Sequence, residues 1–309
     1  MLHPGALGDL LLAVPALRAL RASAPEAELV LAAQGRVGEL LAGLGAVDRH
    51  VPFDTLGLET LFGDDEVRPR LQALLRGARV VSWFGAADAT FTRRLRGLAG
   101  ETVVASSMPP AETAVWEHLL RSTGAPAGAR CDAWRRPLAV PPALAAEGRR
   151  VVAATGATRP LVALHPGAGG TGKRWPAEAF AAVAAALSIR RDVAVAVHEG
   201  PTDHDAADLL RGRLAMPALS LAGLPLPTLA GVVARAALWI GNDSGVTHLA
   251  ASVGAPTLAL FVESNLAWRP WSSTARALAV EVTTSSRADV DRVIAAARDV
   301  LSLRAEVTP

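Results

Sequence analysis

Cysteine, lysine, tyrosine and asparagine are scarce or missing in this chain of 309 residues. The single cysteine, Cys131, excludes a disulfide framework and is typical of proteins from a reducing compartment. The stretch "GARCDAW" supplies no base that could activate its thiol, so we interpret Cys131 as a structural residue. The formal net charge is only +2 and the charged residues are scattered, which argues against a nucleic-acid-binding surface.

Long apolar runs are missing as well. An uncharged run at 246–262 contains a glycine and a proline and is shorter than the ~20 residues that a membrane-spanning helix needs. An apolar stretch at 10–17 lacks the basic segment that precedes the core of a signal peptide. We therefore predict a cytoplasmic protein without a membrane span.

The single lysine and both asparagines fall in the second half of the chain. Lys173 is the only lysine, although the chain has 31 basic residues, and Asn242 and Asn265 are its only asparagines. The excess of alanine, arginine, glycine and proline is typical of a GC-rich genome, in which arginine replaces lysine wherever the chemistry permits it. We interpret the residues that escape this bias as candidates for specific chemistry.

Short apolar strands alternate with amphipathic helical stretches along the chain. The predicted strands lie at 28–33, 78–84, 101–106, 160–167, 192–200, 236–245 and 255–262, and a helix closes the chain at 285–302. A proline-rich patch interrupts this alternation, and we predict a linker near 137–158. The pattern indicates an α/β protein with two doubly wound parallel sheets, whose ligands bind beyond the carboxyl ends of the strands.

The stretch "HPGAGGTGKRWPAEAF" resembles a nucleotide-triphosphate loop, because Gly167 to Lys173 has the spacing G-x-x-x-x-G-K. Such a loop needs a hydroxyl after the lysine to bind Mg²⁺, but Arg174 occupies that position. The next helix also begins late, at Pro176. These departures argue against an NTPase, and two interpretations stay open: an anion site with one lysine and a helix N-terminus, or a solvated loop.

The stretch "GNDSGVTHLAASVGAP" predicts a strand, a turn and a helix that Ser244 caps. Gly245 allows a ligand to approach the backbone closely, and a phosphate could bind the free N–H groups of this helix. A hydrolase triad of Asp243, Ser244 and His248 is disfavoured, because no G-x-S-x-G surrounds the serine and triad members converge from separate loops. The alternative is an ordinary helix cap above a buried histidine.

The stretch "PGALGDLLLAVPALRALR" pairs a glycine turn with a helix that carries Asp9 near its start. An acidic residue there either stabilises the helix through its macrodipole or acts as a general base in the cleft between domains. A parallel sheet also needs its central strand before this turn, yet only Met1 to Pro4 precede it. We therefore expect either a chain that starts upstream or a first strand reduced to a stub.

Together, these stretches and "EGPTDHDAADLL" occur in the order and spacing of glycosyltransferase family 9, the heptosyltransferases, which the chain resembles. The resemblance implies the GT-B fold, with two Rossmann-like doubly wound domains facing a central cleft. It implies an N-terminal acceptor-side domain at 1–140 and a nucleotide-sugar-binding domain at 156–285. A C-terminal helix at 286–309 could then pack back on the N-terminal domain.

The resemblance also implies an activity and the residues that carry it. The family transfers a heptose from an ADP-heptose donor to a lipopolysaccharide core, with inversion and without a metal or other cofactor. Asp9 matches the general base. The residues that match the donor site are Thr171, Lys173, Asp203, Asp243, Ser244, Gly245 and His248. Asp203 falls where the family often has a glutamate on the ribose. Three stretches depart from the family pattern: "HEGP" replaces G-G-P, Asn265 stands in place of an aspartate, and "VVSWFGAADATFTRRL" only loosely matches the D-L-Q-G region of the acceptor side.

The implied partners are a nucleotide-sugar donor and a lipid-linked glycan acceptor, with no nucleic acid and with a peripheral contact at the inner face of the cytoplasmic membrane. A non-catalytic sugar-nucleotide-binding relative is the alternative, and a Rossmann oxidoreductase is a third candidate that we disfavour. His198, Asp203, His204 and Asp205 lack the spacing of a standard metal site, so we interpret them as cleft or surface residues.

Overall fold

The chain folds into two compact units, Met1–Arg135 and Arg136–Pro309. The structure is a computed structural model, and it describes residues 1–125, 131–190 and 193–307. Both units are α/β with parallel strands, as the sequence predicts. Within the described ranges, no helix combines the length and the apolar character needed to cross a bilayer.

The first unit has two pairs of parallel strands, β1 with β2 and β3 with β4. Its strands are β1 (Val30–Ala33), β2 (Arg49–Pro52), β3 (Arg79–Ser82) and β4 (Glu101–Val104). Its helices are α1 (Leu7–Leu12), α2 (Val14–Ser23), α3 (Gly35–Gly43), α4 (Pro69–Leu75), α5 (Ala89–Leu98), α6 (Val115–Ser122) and α7 (Cys131–Trp134). The β-branched runs predicted as strands form β1, β3 and β4. β2 was not predicted, because the short sequence "RHVP" shows no apolar alternation.

A stub of one residue joins the two strand pairs. Leu2 forms a parallel bridge with Ala32 of β1 and another with Ser82 of β3. Its N–H donates to the Val81 carbonyl over 2.9 Å, and its own carbonyl accepts the Trp83 N–H over 3.0 Å. The strand order is therefore β2, β1, Leu2, β3, β4. The turn that carries Asp9 follows the central position of this order, as a doubly wound sheet requires.

The second unit is built on a six-stranded parallel sheet. Its strands are β5 (Leu161–His165), β6 (Ala194–Glu199), β7 (Leu219–Ala222), β8 (Leu238–Asn242), β9 (Thr257–Phe261) and β10 (Ala275–Ala279). Its helices are α8 (Pro142–Ala154), α9 (Ala177–Arg190), α10 (His204–Arg213), α11 (Leu226–Val233), α12 (Gly245–Ser252) and α13 (Arg287–Val307). The central strands β5, β8 and β9 are buried along their whole length, which explains their continuous apolar sequences.

The strand order of this sheet is β10-β9-β8-β5-β6-β7. The chain begins at β5, runs outward through β6 and β7, and then returns to continue from β8 on the other side. β5 and β8 are neighbours, with Val162 opposite Leu238 and His165 opposite Gly241. The order of connection reverses between them, and ligands of doubly wound sheets bind at this switch point, beyond the carboxyl ends of the strands.

The predicted linker at the border of this unit needs revision. Most of the predicted linker near 137–158 is helical, because α8 covers Pro142–Ala154 and packs against α11. The proline-rich start suggested a break, but Pro142 is the first helical residue, where a missing N–H costs nothing. The closing helix α13 places Val293 and Ala297 in the core of the second unit, beside α9.

Candidate functional site

The carboxyl ends of β5, β8 and β9, three adjacent strands, carry several of the polar groups of the second unit that the sequence analysis singled out. Lys173 follows β5 in a short 3-10 helix, Thr171–Lys173, and Asp243 follows β8 directly. The Lys173 ammonium lies 2.8 Å from Asp243 Oδ2, across 70 residues of sequence. The Lys173 side chain is 41% exposed and that of Asp243 only 7%, so one end of the pair faces solvent and the other is buried.

Asn242 holds the loop that carries Lys173. Its side chain is fully buried; Oδ1 accepts the Trp175 N–H over 3.0 Å and Nδ2 donates to the Pro166 carbonyl over 2.8 Å. Both ends of the loop after β5 are therefore tied to the last residue of β8. The sequence analysis noted Asn242 as a rare residue but assigned it no role. Its position at the end of a strand, next to Asp243, was the available signal.

The helix α12 begins at this cluster and directs its N-terminus towards it. Ser244 is the N-cap: its Oγ accepts the Thr247 N–H over 3.3 Å and donates to Thr247 Oγ1 over 3.1 Å. The N–H groups of Gly245 and Val246 have no partner within a helix, since they lie in its first turn. The serine hydroxyl is engaged with Thr247 rather than with His248, which agrees with the rejection of a hydrolase triad.

Lys173 and His248 hold Asp243 as a carboxylate. Burial by itself would raise its pKa, but the neighbouring His248 and Lys173 outweigh burial, and the net pKa is lower than usual. His248 is buried, and its Nε2 lies 3.9 Å from Asp243 Oδ1, which is too long for a hydrogen bond. Asp243 is therefore ionised at neutral pH and offers a fixed negative charge beside Lys173.

Asp203, the residue matched to the ribose contact, is only 8% exposed. Its carboxylate fills the space next to Gly167, where any side chain would collide with it. Arg174 Nη2 lies 3.9 Å from Oδ1 and His165 Nε2 lies 4.0 Å from Oδ2. Burial raises the pKa of Asp203, and Arg174 opposes this shift. The ribose contact stays a prediction, and Asp203 joins the loops after β5 and β6.

Two buried histidines lie beneath these loops. His165 ends β5, His198 lies in β6, and their Nδ1 atoms are 3.0 Å apart. Burial lowers the pKa of His198 to about 4, and burial together with His198 holds that of His165 well below its usual range. Both rings are neutral at pH 7, so one Nδ1 donates its proton to the other. The interpretation of His198 as a cleft or surface residue is wrong, because β6 is an interior strand whose side chains are covered on both faces.

His204 belongs to a surface group instead. Its Nδ1 lies 2.9 Å from Glu199 Oε1 and its Nε2 lies 3.1 Å from Asp208 Oδ2. Glu199, His204 and Asp208 offer atoms close enough together to hold a cation. Arg211 contacts both carboxylates at 2.8 and 2.9 Å, however, and already supplies the positive charge. We interpret the group as an ion-pair network at the end of β6.

Comparison with known protein families gives a match over residues 139–294, just over half of the chain, to the model described as glycosyltransferase family 9 (heptosyltransferase). The chain belongs to glycosyltransferase family 9. The matched family 9 segment contains Lys173, Asp203, Asp243 and Asn265, and thus the whole cluster at the switch point. Asp9 lies outside it.

Individual relatives agree with membership of family 9. Lipopolysaccharide heptosyltransferase 3 of Escherichia coli is 33% identical over 141 residues, which are 44% of this chain and 41% of that relative. The match therefore spans about two fifths of the relative's length. A structure of E. coli ADP-heptose lipopolysaccharide heptosyltransferase II covers 98% of both chains at 21% identity with a TM-score of 0.73. The family 9 glycosyltransferase of Veillonella parvula DSM 2008 covers 97% of this chain and 95% of its own at 18% identity, also with a TM-score of 0.73. The fold is thus the expected GT-B fold.

In the first unit, Asp9 lies in the first turn of α1. This helix follows Leu2, which occupies the central strand position between β1 and β3. Its Oδ2 accepts the Ala6 N–H over 3.1 Å. His3 is its buried neighbour: a Cβ at Gly5 would lie 2.6 Å from His3 Cε1 and 2.7 Å from Asp9 Cβ, so only glycine lets the two approach. His3 Nδ1 accepts the Gly5 N–H over 3.1 Å, which leaves the ring proton on Nε2.

The sequence analysis missed His3, although it stands directly after the strand stub. Burial lowers the pKa of His3 to about 4, and Asp9 opposes this shift. At neutral pH the His3 ring is therefore uncharged, and it forms no ion pair with the Asp9 carboxylate.

Proposed function

We propose that this chain is an inverting glycosyltransferase that moves a sugar, a heptose, from an ADP-sugar donor to a lipopolysaccharide-core or other cell-envelope glycan. The observation that carries the proposal is the placement of Lys173 beside the N-terminus of α12, at the switch point of the second sheet. A lysine ammonium and free helical N–H groups are the partners that a diphosphate requires. Membership of family 9 supports the sugar-transfer chemistry.

The reaction that we propose is a single displacement at the anomeric carbon of the donor sugar. The acceptor hydroxyl oxygen forms the new bond to this carbon, and the bond from the carbon to the diphosphate oxygen breaks. The leaving diphosphate takes the electron pair, and Asp9 accepts the hydroxyl proton. Lys173 and the N-terminus of α12 stabilise the negative charge that develops on the diphosphate.

The loop after β5 provides further donor contacts. Thr171 is exposed in the same 3-10 helix as Lys173, so its hydroxyl is accessible to a phosphate oxygen. The Arg174 Nε atom is buried without a hydrogen-bond partner among the described residues, which is an unusual state for a donor. We infer that the donor fills the space above this loop, with Asp203 on the ribose side.

The relatives support a proposal for the acceptor and the location. The E. coli protein of similar fold is named an ADP-heptose lipopolysaccharide heptosyltransferase, which supports ADP as the nucleotide and a lipid-linked glycan as the acceptor. An enzyme that uses a cytoplasmic nucleotide sugar and a lipid-linked acceptor works at the inner face of the cytoplasmic membrane. We propose that location, with peripheral contact only.

A donor screen tests this proposal. Isothermal calorimetry of the purified chain with ADP-, UDP- and GDP-sugars should give binding for the ADP-sugar alone, and mass spectrometry should detect transfer to a glycan acceptor. EDTA should leave the transfer rate unchanged, because Lys173 and the helix N-terminus provide the positive charge that a metal would otherwise supply. Binding of a UDP- or GDP-sugar in preference to the ADP-sugar would contradict the donor assignment.

The alternative is a relative that binds a nucleotide sugar and transfers nothing. Asp9 argues for catalysis, since a protein that only binds the donor needs no proton acceptor in its other domain. Transfer, or slow hydrolysis of the donor without an acceptor, would exclude the binding protein. Donor binding without any turnover, with every acceptor fraction tested, would establish it.

Lys173→Ala should weaken binding of the ADP-sugar by about 1.5–3 kcal/mol, the range for hydrogen bonds to charged groups. This corresponds to a dissociation constant roughly 10- to 150-fold higher. The substitution removes the ammonium and also leaves the Asp243 carboxylate unneutralised next to the diphosphate. Calorimetric titration of the donor into both proteins measures the effect.

Two variants control the Lys173 experiment. Lys173→Arg should restore only part of the affinity, because a planar guanidinium cannot place its charge at the same point. Arg287→Ala removes a cation whose side chain is 94% exposed at the start of α13, and it should leave the affinity unchanged. Equal donor affinity in Lys173→Ala and the unmodified chain would instead favour the interpretation of this segment as a solvated loop.

A further inference from the structure

A depression in the surface of the first unit lies beside the loop that follows β3. Its volume is about 470 Å³, which is within the range of small-molecule sites. The residues that line it belong to this loop and to α5: Ala86, Ala87, Ala89, Thr92, Arg93 and Arg96. No step of the reaction proposed above uses this α5 depression.

The loop after β3 lies at the switch point of the first unit. The chain leaves the central position at Leu2, runs outward to β1 and β2, and returns to β3 on the other side of Leu2. The order of connection therefore reverses between Leu2 and β3, which is where doubly wound sheets bind their ligands. Asp9 follows one of these two strand positions and the α5 depression follows the other, so both occur at the same edge of the strands.

The helix α5 presents two arginines to this depression, because its other side is buried. Phe91 and Leu95 are fully buried, whereas Arg93 and Arg96 are exposed. Residues three apart on a helix are neighbours, and two like charges so placed destabilise it slightly. Neither guanidinium has a hydrogen bond or an ion pair with any residue in the ranges that the structure describes.

The charged residues next to this pair are engaged elsewhere. Arg94 donates to the carbonyls of Gly63 and Asp65. Asp88 caps α5, where its Oδ1 accepts the Phe91 N–H over 2.7 Å. Neither Arg94 nor Asp88 lines the α5 depression, and no acidic residue is among the six that do. Its positive charge is therefore left for an anion from outside the chain.

We propose that Arg93 and Arg96 bind a phosphate group carried by the acceptor glycan. Guanidinium groups pair their N–H donors with phosphate oxygens, and the Thr92 hydroxyl adds a further donor. A phosphomonoester has three acceptor oxygens and a charge of about −1.5 to −2 at pH 7, so it can engage both arginines. A carboxylate has two oxygens and one charge, which a single arginine satisfies. The proposal rests on the function proposed above and specifies its acceptor.

The first measurement uses three sugar probes and needs no transfer activity. NMR spectra of the arginine Nε–H groups are recorded during titration with glucose, glucuronate and glucose 6-phosphate, and Arg93→Lys and Arg96→Lys identify the two signals. Glucose 6-phosphate should shift both signals, with a dissociation constant at least about tenfold lower than that of glucuronate, and glucose should shift neither. Equal affinity for the two anions, or no shift with glucose 6-phosphate, would overturn the proposal and leave a solvated helix face.

The second measurement is the KM for a phosphorylated lipid-linked core glycan, before and after its treatment with alkaline phosphatase. Arg93→Gln combined with Arg96→Gln should raise the KM for the untreated glycan at least about tenfold, and phosphatase treatment should remove the difference between variant and unmodified chain. The matched control combines Arg70→Gln with Arg76→Gln, because both arginines are exposed in the same unit and neither lines the α5 depression. This control should leave KM unchanged.

An equal rise of KM for the treated and untreated glycan, or an equal rise in the control variant, would overturn the proposal. Glucose 6-phosphate binding at Arg93 and Arg96 without any transfer would contradict the proposed function and leave the phosphate site standing. Transfer without such binding would do the reverse. The two failures are therefore distinguishable.

Discussion

Asp9→Asn is expected to lower the transfer rate by about 10²–10⁴-fold, the usual contribution of a general base. The amide retains the size of the side chain, and its oxygen can still accept the Ala6 N–H that Asp9 Oδ2 binds. The substitution therefore removes the basicity and leaves the helix cap. Donor affinity and melting temperature should change little, because the donor cluster lies in the second unit and the α1 cap is preserved.

The structure offers a matched control for this substitution in the same unit. Asp88 caps α5, where its Oδ1 accepts the Phe91 N–H over 2.7 Å. Asp88→Asn changes the same kind of helix-terminal charge and should leave turnover unaffected. If Asp9 served only the helix dipole, its substitution would cost about 0.3–1 kcal/mol of stability and no turnover, as for Asp88. Such a result would remove the catalytic assignment and favour the non-catalytic binding protein.

The buried histidine pair should make the protein lose stability sharply in mild acid. An unfolded histidine binds a proton near pH 6.5, whereas burial in the fold delays protonation of His198 to about pH 4. Between these values the unfolded state holds more protons, so the free energy of unfolding falls as the pH falls. For His198 alone the loss amounts to about 3 kcal/mol over this window, and it is absent above pH 6.5.

Chemical denaturation at pH 7, 6, 5 and 4 measures this loss. His165 acts in the same direction, because burial and His198 lower its pKa as well. In His198→Gln the pH dependence between pH 6 and 5 should become shallower by about one proton. His204→Gln is the control. Glu199 and Asp208 raise the pKa of this exposed ring, so its removal cannot make the pH dependence of the unfolding free energy between pH 6 and 5 shallower. An unchanged slope in His198→Gln would show that the pair is protonated in the fold.

Sequence patterns that are local and repeated were sufficient for much of the fold. The continuous apolar runs of β5, β8 and β9 identify interior parallel strands, since such strands are covered on both faces. The short strands β2, β7 and β10 gave no such signal, because each is exposed in part and lies at or near a sheet edge. The helix α8 escaped prediction for another reason: prolines at a helix start resemble those of a linker.

The sequence by itself determined the parallel α/β class, the position of the glycine turns and helix N-termini, and the order of motifs that indicated family 9. These features depend on residues close together in the chain. Only the tertiary structure decided which groups meet: Lys173 with Asp243 and Asn265, His165 with His198, and His3 with Asp9. The first two sets come from separate strands, and the strand order that makes them neighbours is a property of the whole sheet. His3 and Asp9 are close in sequence, but burial of His3 against Trp83 depends on how Leu2 pairs between β1 and β3. These contacts determine the charge and protonation of the site, because burial and the nearest partner, rather than residue type, shift the pKa of each group.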